Sequence, residues 1–413
     1  MGGAAVECLG KALVGFVTDL NWIFEAGFWG MRFYDMPNFL ICVAFVLIAG
    51  RALRIPASYQ GMLLLHCALP LMLNGVLFSY GYMPDAFKYW REFNAIRSGE
   101  MSIYAAWTGS TVERAALYFS AMPFPFAVTP LSLGFFNSFL YSALFFWLYR
   151  KQVFTSVSLW FFLLYPSLAL YTGMGLRDTF IFVFMVMAVQ WAREGRWWFA
   201  LLPLYFLYAI KFQNFFILGP ILLIYVLFGI RRTGISGGRA VAVVAIAMVT
   251  LIAVSPIALP EVNKFRGAMY VEDGGDIEDV EFIGSPGEFV AEGMVSGLYF
   301  LAKPFPWEAT NPLQLIQAGE NLLVLWLLFL IVRVAWKQAP RKLMFWLLFM
   351  VLALSVYGLV VFNYGTAARY RYPFVVIFVL FVCADCGVRR VLPLSFRGWR
   401  RPERMRRAID RPG

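Results

Sequence analysis

Ionisable side chains that border or interrupt long apolar runs are the residues of this chain best placed to do chemistry. Such a group costs roughly 2.5–3.5 kcal/mol at the centre of a membrane-crossing helix, so it is normally kept where it faces a cavity or a partner. Four clusters have this character. Pro84-Asp85-Ala86-Phe87-Lys88-Tyr89-Trp90-Arg91 follows directly on an apolar run. A carboxylate at that rim can take a proton from an acceptor hydroxyl, and Tyr89 and Trp90 can stack on sugar rings. The other reading is an interfacial aromatic belt with Asp85 at a helix N-terminus. Gly175-Leu176-Arg177-Asp178 makes a tight turn between two runs, after Tyr165-Pro166-Ser167. There Arg177 suits an anionic head group, while Asp178 is equally suited to starting the next helix. Lys211-Phe212-Gln213-Asn214 separates two runs too short to cross at full length. A re-entrant or tilted pair would carry Lys211 into the leaflet, at a depth that suits a lipid phosphate; snorkelling to the interface is the alternative. Last, Asn363-Tyr364-Gly365-Thr366 runs into Arg369-Tyr370-Arg371-Tyr372-Pro373. Two arginines separated by Tyr370 make a bidentate clamp chemically possible, with a diphosphate as its natural guest.

Other chemistries find little support. His66 is the only histidine and falls in mid-run, which argues against a histidine-based triad or a zinc site. Cys383-Ala-Asp-Cys386 has CxxC spacing but lies in an apolar run, so it reads as core rather than as a redox or metal motif. The acidic stretch from Glu272 to Asp279 lacks the alternating ligands of a calcium loop. There is no Walker motif, and no GxGxxG on a strand. No internal repeat is evident, which weighs against a secondary transporter. Lys303-Pro304-Phe305-Pro306-Trp307-Glu308 reads as an amphipathic segment with a rigid turn, and Glu308 and Glu320 flank the entry to a later run.

The elements that must position these clusters follow from composition. Of 413 residues, 61% are hydrophobic and only 14% charged, and the mean hydropathy is +0.70. Ordinary globular chains are about 45–50% apolar and about 25% charged. The fold class expected is therefore all-α: a polytopic integral membrane helix bundle. Apolar runs fall near 36–50, 58–80, 130–149, 153–174, 178–192, 197–210, 215–230, 239–259, 321–336, 343–362 and 373–388, with 8–30 a weaker, interfacial candidate. That makes about 11–12 crossings at about 20 residues each. Threaded through these runs, one side of the membrane collects 22 of the 35 basic residues and only three acidic ones. The positive-inside rule makes that side cytoplasmic. Residues 1–388 read as one membrane domain with long outer loops at 81–129 and 260–319. Residues 389–413 read as a basic cytoplasmic tail, with Trp399 among its arginines, lying on the anionic leaflet. The net charge of +11 is thus assigned to topology and membrane lipid, not to nucleic acid. No cleaved signal peptide is expected, since the N-terminus lacks a basic stretch followed by an apolar run.

Taken in order, Pro84-Asp85 with Tyr89, Pro166 followed by Leu176-Arg177-Asp178, Lys303-Pro304-Phe305-Pro306-Trp307, and Asn363-Tyr364-Gly365-Thr366 leading to Arg369-Tyr370-Arg371 resemble bacterial oligosaccharide repeat-unit polymerases. These are the Wzy-type O-antigen and exopolysaccharide polymerases, close in style to GT-C-class membrane glycosyltransferases. The resemblance covers about residues 80 to 388. It departs from the ligase branch in having no outer-loop histidine. The resemblance implies a multi-pass protein of the bacterial inner membrane that joins glycan units carried on polyprenyl diphosphate at the outer face. It implies Arg177, Arg369, Arg371 and Lys211 as diphosphate binders, with Asp178 and Tyr370 beside them. Asp85 would be the base, and Tyr89, Trp90 and Trp307 would line the glycan path. No soluble cofactor and no metal are implied; other polysaccharide-assembly proteins are implied as partners. The alternatives are a GT-C-type transferase using a polyprenyl-phosphate sugar, a transporter of lipid-linked glycan, and a scaffolding membrane subunit.

Overall fold

The computed structural model describes residues 27–74, 85–125, 127–272 and 275–391. Residues 8–26 of the interfacial candidate, Gly81 to Pro84, Asp273-Gly274 of the acidic stretch, and the basic tail from 392 onward with Trp399 lie outside the described residues.

The apolar runs fold as helices, and no strand occurs among the described residues. The protein is a polytopic membrane helix bundle. Five helices are long and apolar enough to cross a membrane: Arg32–Ala52, Leu131–Arg150, Pro312–Gln338, Pro340–Gly358 and Tyr364–Cys386. Within α1 (Gly27–Ala52) lies the first of these. Then follow α2 (Ala57–Leu73), α3 (Asp85–Ser98), α4 (Ile103–Thr108), α5 (Thr111–Ser120) and α6 (Leu131–Arg150). The run near 153–174 is not one helix. Pro166 has no N–H to donate and restricts the residue before it, and it splits the run into α7 (Ser156–Leu164) and α8 (Pro166–Thr172). Next come α9 (Asp178–Arg193), α10 (Trp197–Ile210), α11 (Phe212–Leu227), the single turn α12 (Ile230–Thr233) and α13 (Gly237–Glu272). The chain closes with α14 (Pro286–Ala302), α15 (Pro312–Gln338), α16 (Pro340–Gly358) and α17 (Tyr364–Cys386).

Neither long loop of the sequence reading is irregular. Residues 81–129 carry α3, α4 and α5, while α13 runs far past 260 and is followed by α14. The three helices α3–α5 form a cap fastened by two arginines. Arg97 donates to the carbonyls of Ser120 (3.0 Å), Met122 (2.9 Å) and Phe124. Arg114 donates to Trp107 O (2.9 Å) and to Ala209 O (3.1 Å) at the end of α10. A capping box of Ser110 and Glu113 sets where α5 begins. The helix α14 lies along α16. Its approach depends on small residues: a Cβ on Gly358 would lie 2.5 Å from Ser296 C, and one on Gly297 would lie 2.9 Å from Ser355 N. Gly293 and Gly297 put two small residues four apart on that face, the spacing that lets helix backbones approach closely in membranes.

At the centre stands α17. Asn363 caps it, accepting from Gly365 N (2.8 Å) and Thr366 N (3.4 Å). Gly387, at φ +73°, ends it in the left-handed region that glycine tolerates. Nearly every side chain from Ala367 to Cys383 is buried. Cys383 and Cys386 are free, buried thiols. Beside it, α9 runs parallel and is tied to it at both ends. Asp178 begins α9 and bonds Arg369 near the start of α17; Arg193 ends α9 and bonds Asp385 near the end of α17.

Candidate functional site

The site is assembled at the Asp178 end of the bundle from the first residues of α3, α9 and α17 and the break between α10 and α11. Arg369 is its hub. Its Nε donates to Asp178 Oδ2 at 2.6 Å and its Nη1 to Asp85 Oδ2 at 3.3 Å. Arg369 and Asp178 are buried, whereas the Asp85 side chain is 36% exposed. The two carboxylates are therefore not equivalent. Asp178 locks the guanidinium in place, and the more open Asp85 accepts from Lys88 Nζ at 3.4 Å through its other oxygen, Oδ1.

The turn that delivers Arg177 and Asp178 is rigid for local reasons. Asn137 on α6 donates to the carbonyls of Met174 and Leu176. Gly173 and Gly175 press against α6: a Cβ on Gly175 would sit 2.8 Å from Leu133 Cβ, and one on Gly134 would sit 2.8 Å from Gly173 O. Thus fixed, Arg177 reaches across to the cap and donates from Nη1 to Thr111 Oγ1 at 2.8 Å. It has no carboxylate within 4.0 Å among the described residues.

Lys211 caps both α10 and α11 and is buried. Its ammonium stands 4.0 Å from the Tyr370 ring centroid and 6.0 Å from that of Tyr357. Arg177 and Asp178 are among its electrostatic neighbours. It too lacks a carboxylate within 4.0 Å among the described residues. Asn214 holds the wall beside it by accepting from the Tyr357 hydroxyl. A cavity of about 320 Å³ opens at Lys211 and continues between apolar side chains of α13, α14 and α16, including Val262, Phe265, Phe289 and Val356.

Electrostatics follow from this crowding. Burial pushes the Asp85 carboxyl up, but Arg369 and then Lys88 outweigh it and hold it below the usual carboxylate range. It is ionised at neutral pH. Tyr89, buried one turn along α3, has Arg177, Arg369, Asp178 and Asp85 around it, and burial holds its phenol well above the usual tyrosine range.

Other residues singled out in the sequence fall elsewhere. Arg371 does not share the site. Two positions along a helix are about 200° apart, and Arg371 faces away from Arg369. Its guanidinium caps the end of α14, donating to the carbonyls of Phe300 (2.9 Å), Leu301 (2.8 Å) and Lys303 (3.1 Å) and to Asn321 Oδ1. Trp90 is buried and donates to Ala127 O at 3.3 Å, so its ring packs the cap. Trp307 is 79% exposed and stacked on Phe305 in the turn after Pro304. Glu308 there pairs with Lys303 (3.2 Å), and Glu320 accepts from Ser167 N (3.1 Å). His66 stacks on Tyr141 (ring centroids 3.8 Å apart) and meets Thr172 Oγ1 at 2.7 Å. Since the Thr172 hydroxyl donates to Leu168 O, His66 Nε2 carries the hydrogen of that contact. This is a packed core histidine.

Two polar groups escaped the sequence reading. Asp35 is fully buried and accepts from Asn38 (2.9 Å), Thr129 and Ser132, tying α1 to the start of α6. Arg193 and Asp385 form the second buried ion pair, at 2.7 Å. Among the described residues no group of three or more His, Cys, Asp or Glu is placed to hold a metal ion.

No family model, no curated protein and no solved structure matches the chain. What fold and geometry define is a class: a many-helix membrane protein with a cationic, partly covered cluster at one end of the bundle and an apolar cavity leading into it.

Proposed function

We propose that this chain is a membrane-embedded glycosyltransferase that polymerises oligosaccharide units carried on polyprenyl diphosphate, at the outer face of a bacterial inner membrane. The observation that carries the reading is the meeting of Arg369, Arg177 and Lys211, from three distant parts of the chain, at one end of the bundle. Two of these cations have no carboxylate within 4.0 Å among the described residues. Arg369 uses Nε and Nη1 on protein carboxylates, which leaves Nη2 to a ligand. Such a set suits an anion with several oxygens. The cavity beside Lys211 supplies apolar wall for a hydrocarbon attached to that anion.

In the reaction, the acceptor hydroxyl oxygen attacks the anomeric carbon of the donor sugar. The bond from that carbon to the diphosphate oxygen breaks, and the diphosphate leaves with the electron pair. Arg177, Arg369 and Lys211 stabilise the charge that develops on it. Asp85 takes the hydroxyl proton. A base whose pKa is held low by a paired arginine is weak. A diphosphate that draws on Arg369 weakens that pairing and makes the carboxylate more basic when substrate is bound. Asp178 keeps Arg369 from following the leaving group.

The test is polymer length and turnover of lipid-linked donor, in cells and with purified protein. Arg177→Gln and Lys211→Met are expected to lower turnover at least tenfold at normal protein level, and Asp85→Asn to leave donor bound but unreacted. Native polymerisation by all three would refute the assignment. Accumulation of glycan inside vesicles without new glycosidic bonds would replace it with transport.

A further inference from the structure

The opposite end of the bundle holds a second cavity, of about 320 Å³, lined by Arg193, Glu194, Tyr225, Gly229, Arg231 and Arg232. Nothing in the glycosyl-transfer reading uses it. Its acids are already taken. Asp385, behind the wall, accepts from Arg193 Nε (2.9 Å) and Nη2 (2.7 Å), from Tyr225 (3.1 Å) and from Trp346 (3.1 Å). Glu194 accepts from Lys151 (3.0 Å) and from Gln190 (3.0 Å). Arg193 is thereby neutralised.

The remaining charges are not. Arg231 has one partner among the described residues, a 2.6 Å bond from Nη1 to the Arg193 carbonyl, which aims the side chain across the cavity mouth. Arg232 has none among the described residues. Two guanidinium groups with no carboxylate within 4.0 Å therefore border a pocket whose own acids are spent. Planar guanidinium pairs recognise phosphate oxygens.

The surroundings decide where such a phosphate comes from. Leu223 and Leu227 of α11 are 59% and 70% exposed and lead directly to Gly229. Trp198, 67% exposed, stands at the start of α10, just past Arg196. Exposed tryptophan at the end of an apolar helix marks the membrane interface. Val226, next in the chain to Leu227, lines the cavity, so the outward apolar face of α11 borders it. We infer that this cavity is a binding site for the phosphate head group of an anionic bilayer lipid, held by Arg231 and Arg232 with its acyl chains along Leu223 and Leu227.

The full chain, purified and placed in phosphatidylcholine nanodiscs, is titrated with phosphatidylglycerol. Bound lipid is counted by native mass spectrometry, and thermal unfolding is followed in parallel. The wild type is expected to retain phosphatidylglycerol and to melt at higher temperature with it. The Arg231→Gln/Arg232→Gln double variant is expected to lose roughly 30-fold in apparent affinity, since each basic residue near an anionic leaflet supplies a factor of about five. Arg51→Gln, an exposed basic residue elsewhere in the chain, is the control and keeps wild-type affinity. Arg232→Gln alone removes no side-chain hydrogen bond or ion pair among the described residues; its expected loss is about fivefold with an unchanged melting temperature in the absence of phosphatidylglycerol. Retention of lipid by the double variant at wild-type affinity overturns the assignment. So does equal stabilisation by inorganic phosphate alone, which would make this a site for a soluble anion. Neither result bears on the polymerase reading, whose residues lie at the other end.

Discussion

The Arg369–Asp178 pair gives the sharpest handle on how the site is built, through Asp178→Asn. The substitution keeps the shape and removes the charge. Arg369 is 8% and Asp178 4% exposed, and their contact is 2.6 Å. Breaking a buried pair by neutralising one partner costs about 3–5 kcal/mol, because the other charge is stranded away from water. Asp85 lies 3.3 Å from Arg369 and remains in the variant, so it offsets part of this cost. The expected loss is therefore at the low end, about 3 kcal/mol. Asp85→Asn removes a partner that is 36% exposed, and exposed pairs contribute about 0–1 kcal/mol. The assay is equilibrium unfolding in mixed micelles with increasing sodium dodecyl sulfate, followed by circular dichroism. A double-mutant cycle with Arg369→Met completes it. Removing the stranded cation should return more than half of what Asp178→Asn loses, which is the signature of direct coupling. A loss below about 1 kcal/mol for Asp178→Asn, or a larger loss for Asp85→Asn, would refute the division of labour between the two carboxylates.

Three further outcomes follow from the geometry. Gly358→Val puts a branched side chain where even a Cβ would sit 2.5 Å from Ser296 C; it should lower stability in the same unfolding assay by about 1–3 kcal/mol, while Gly61→Ala, whose Cβ meets nothing within 4 Å, should not. Arg371→Lys loses the planar fork that serves three carbonyls and Asn321; it should destabilise the chain and expose α14 to hydrogen exchange, without changing the affinity of folded protein for lipid diphosphate. Asp85 is held below the ordinary carboxylate range by Arg369 and Lys88, so its pairing is fully present above the unfolded value of about 3.9 and is lost as pH falls through the lowered folded value. The melting difference between wild type and Asp85→Asn should accordingly be constant from pH 7 to 5 and shrink only below about pH 4; a difference that fades between pH 7 and 5 would contradict the assigned direction.

The helical membrane fold was legible because burying so much apolar sequence leaves no soluble alternative. Asp85, Arg177, Asp178, Lys211 and Arg369 were legible for a related reason, since each interrupts or borders an apolar run at a cost that something must offset. What misled was local periodicity. Arg369-Tyr370-Arg371 reads as a double clamp if the segment is a hairpin end, but Asn363 starts α17 earlier and the helix turns the two arginines apart. Likewise α14 went unread because Gly-rich segments such as Gly284–Gly297 score poorly as helix, although those glycines are what admit it against α16. Asp35 was hidden by its place one residue before the run near 36–50. Its partners Thr129 and Ser132 are remote in sequence and carry no charge to betray them.

The parallel strut made by α9 and α17 is short against the lipid around it. From Arg369 to Asp385 the helix rises about 24 Å, against about 30 Å for the hydrocarbon of a typical bilayer. The polar knots at its two ends thus sit nearer to each other than the two faces of the slab they inhabit. Each knot is buried and closed on its own partner, so both can lie below the surfaces of the slab without drawing lipid or water to them. The two ion pairs thereby lock the lengthwise register of α9 against α17, since a slip of either helix by one turn would part both pairs at once.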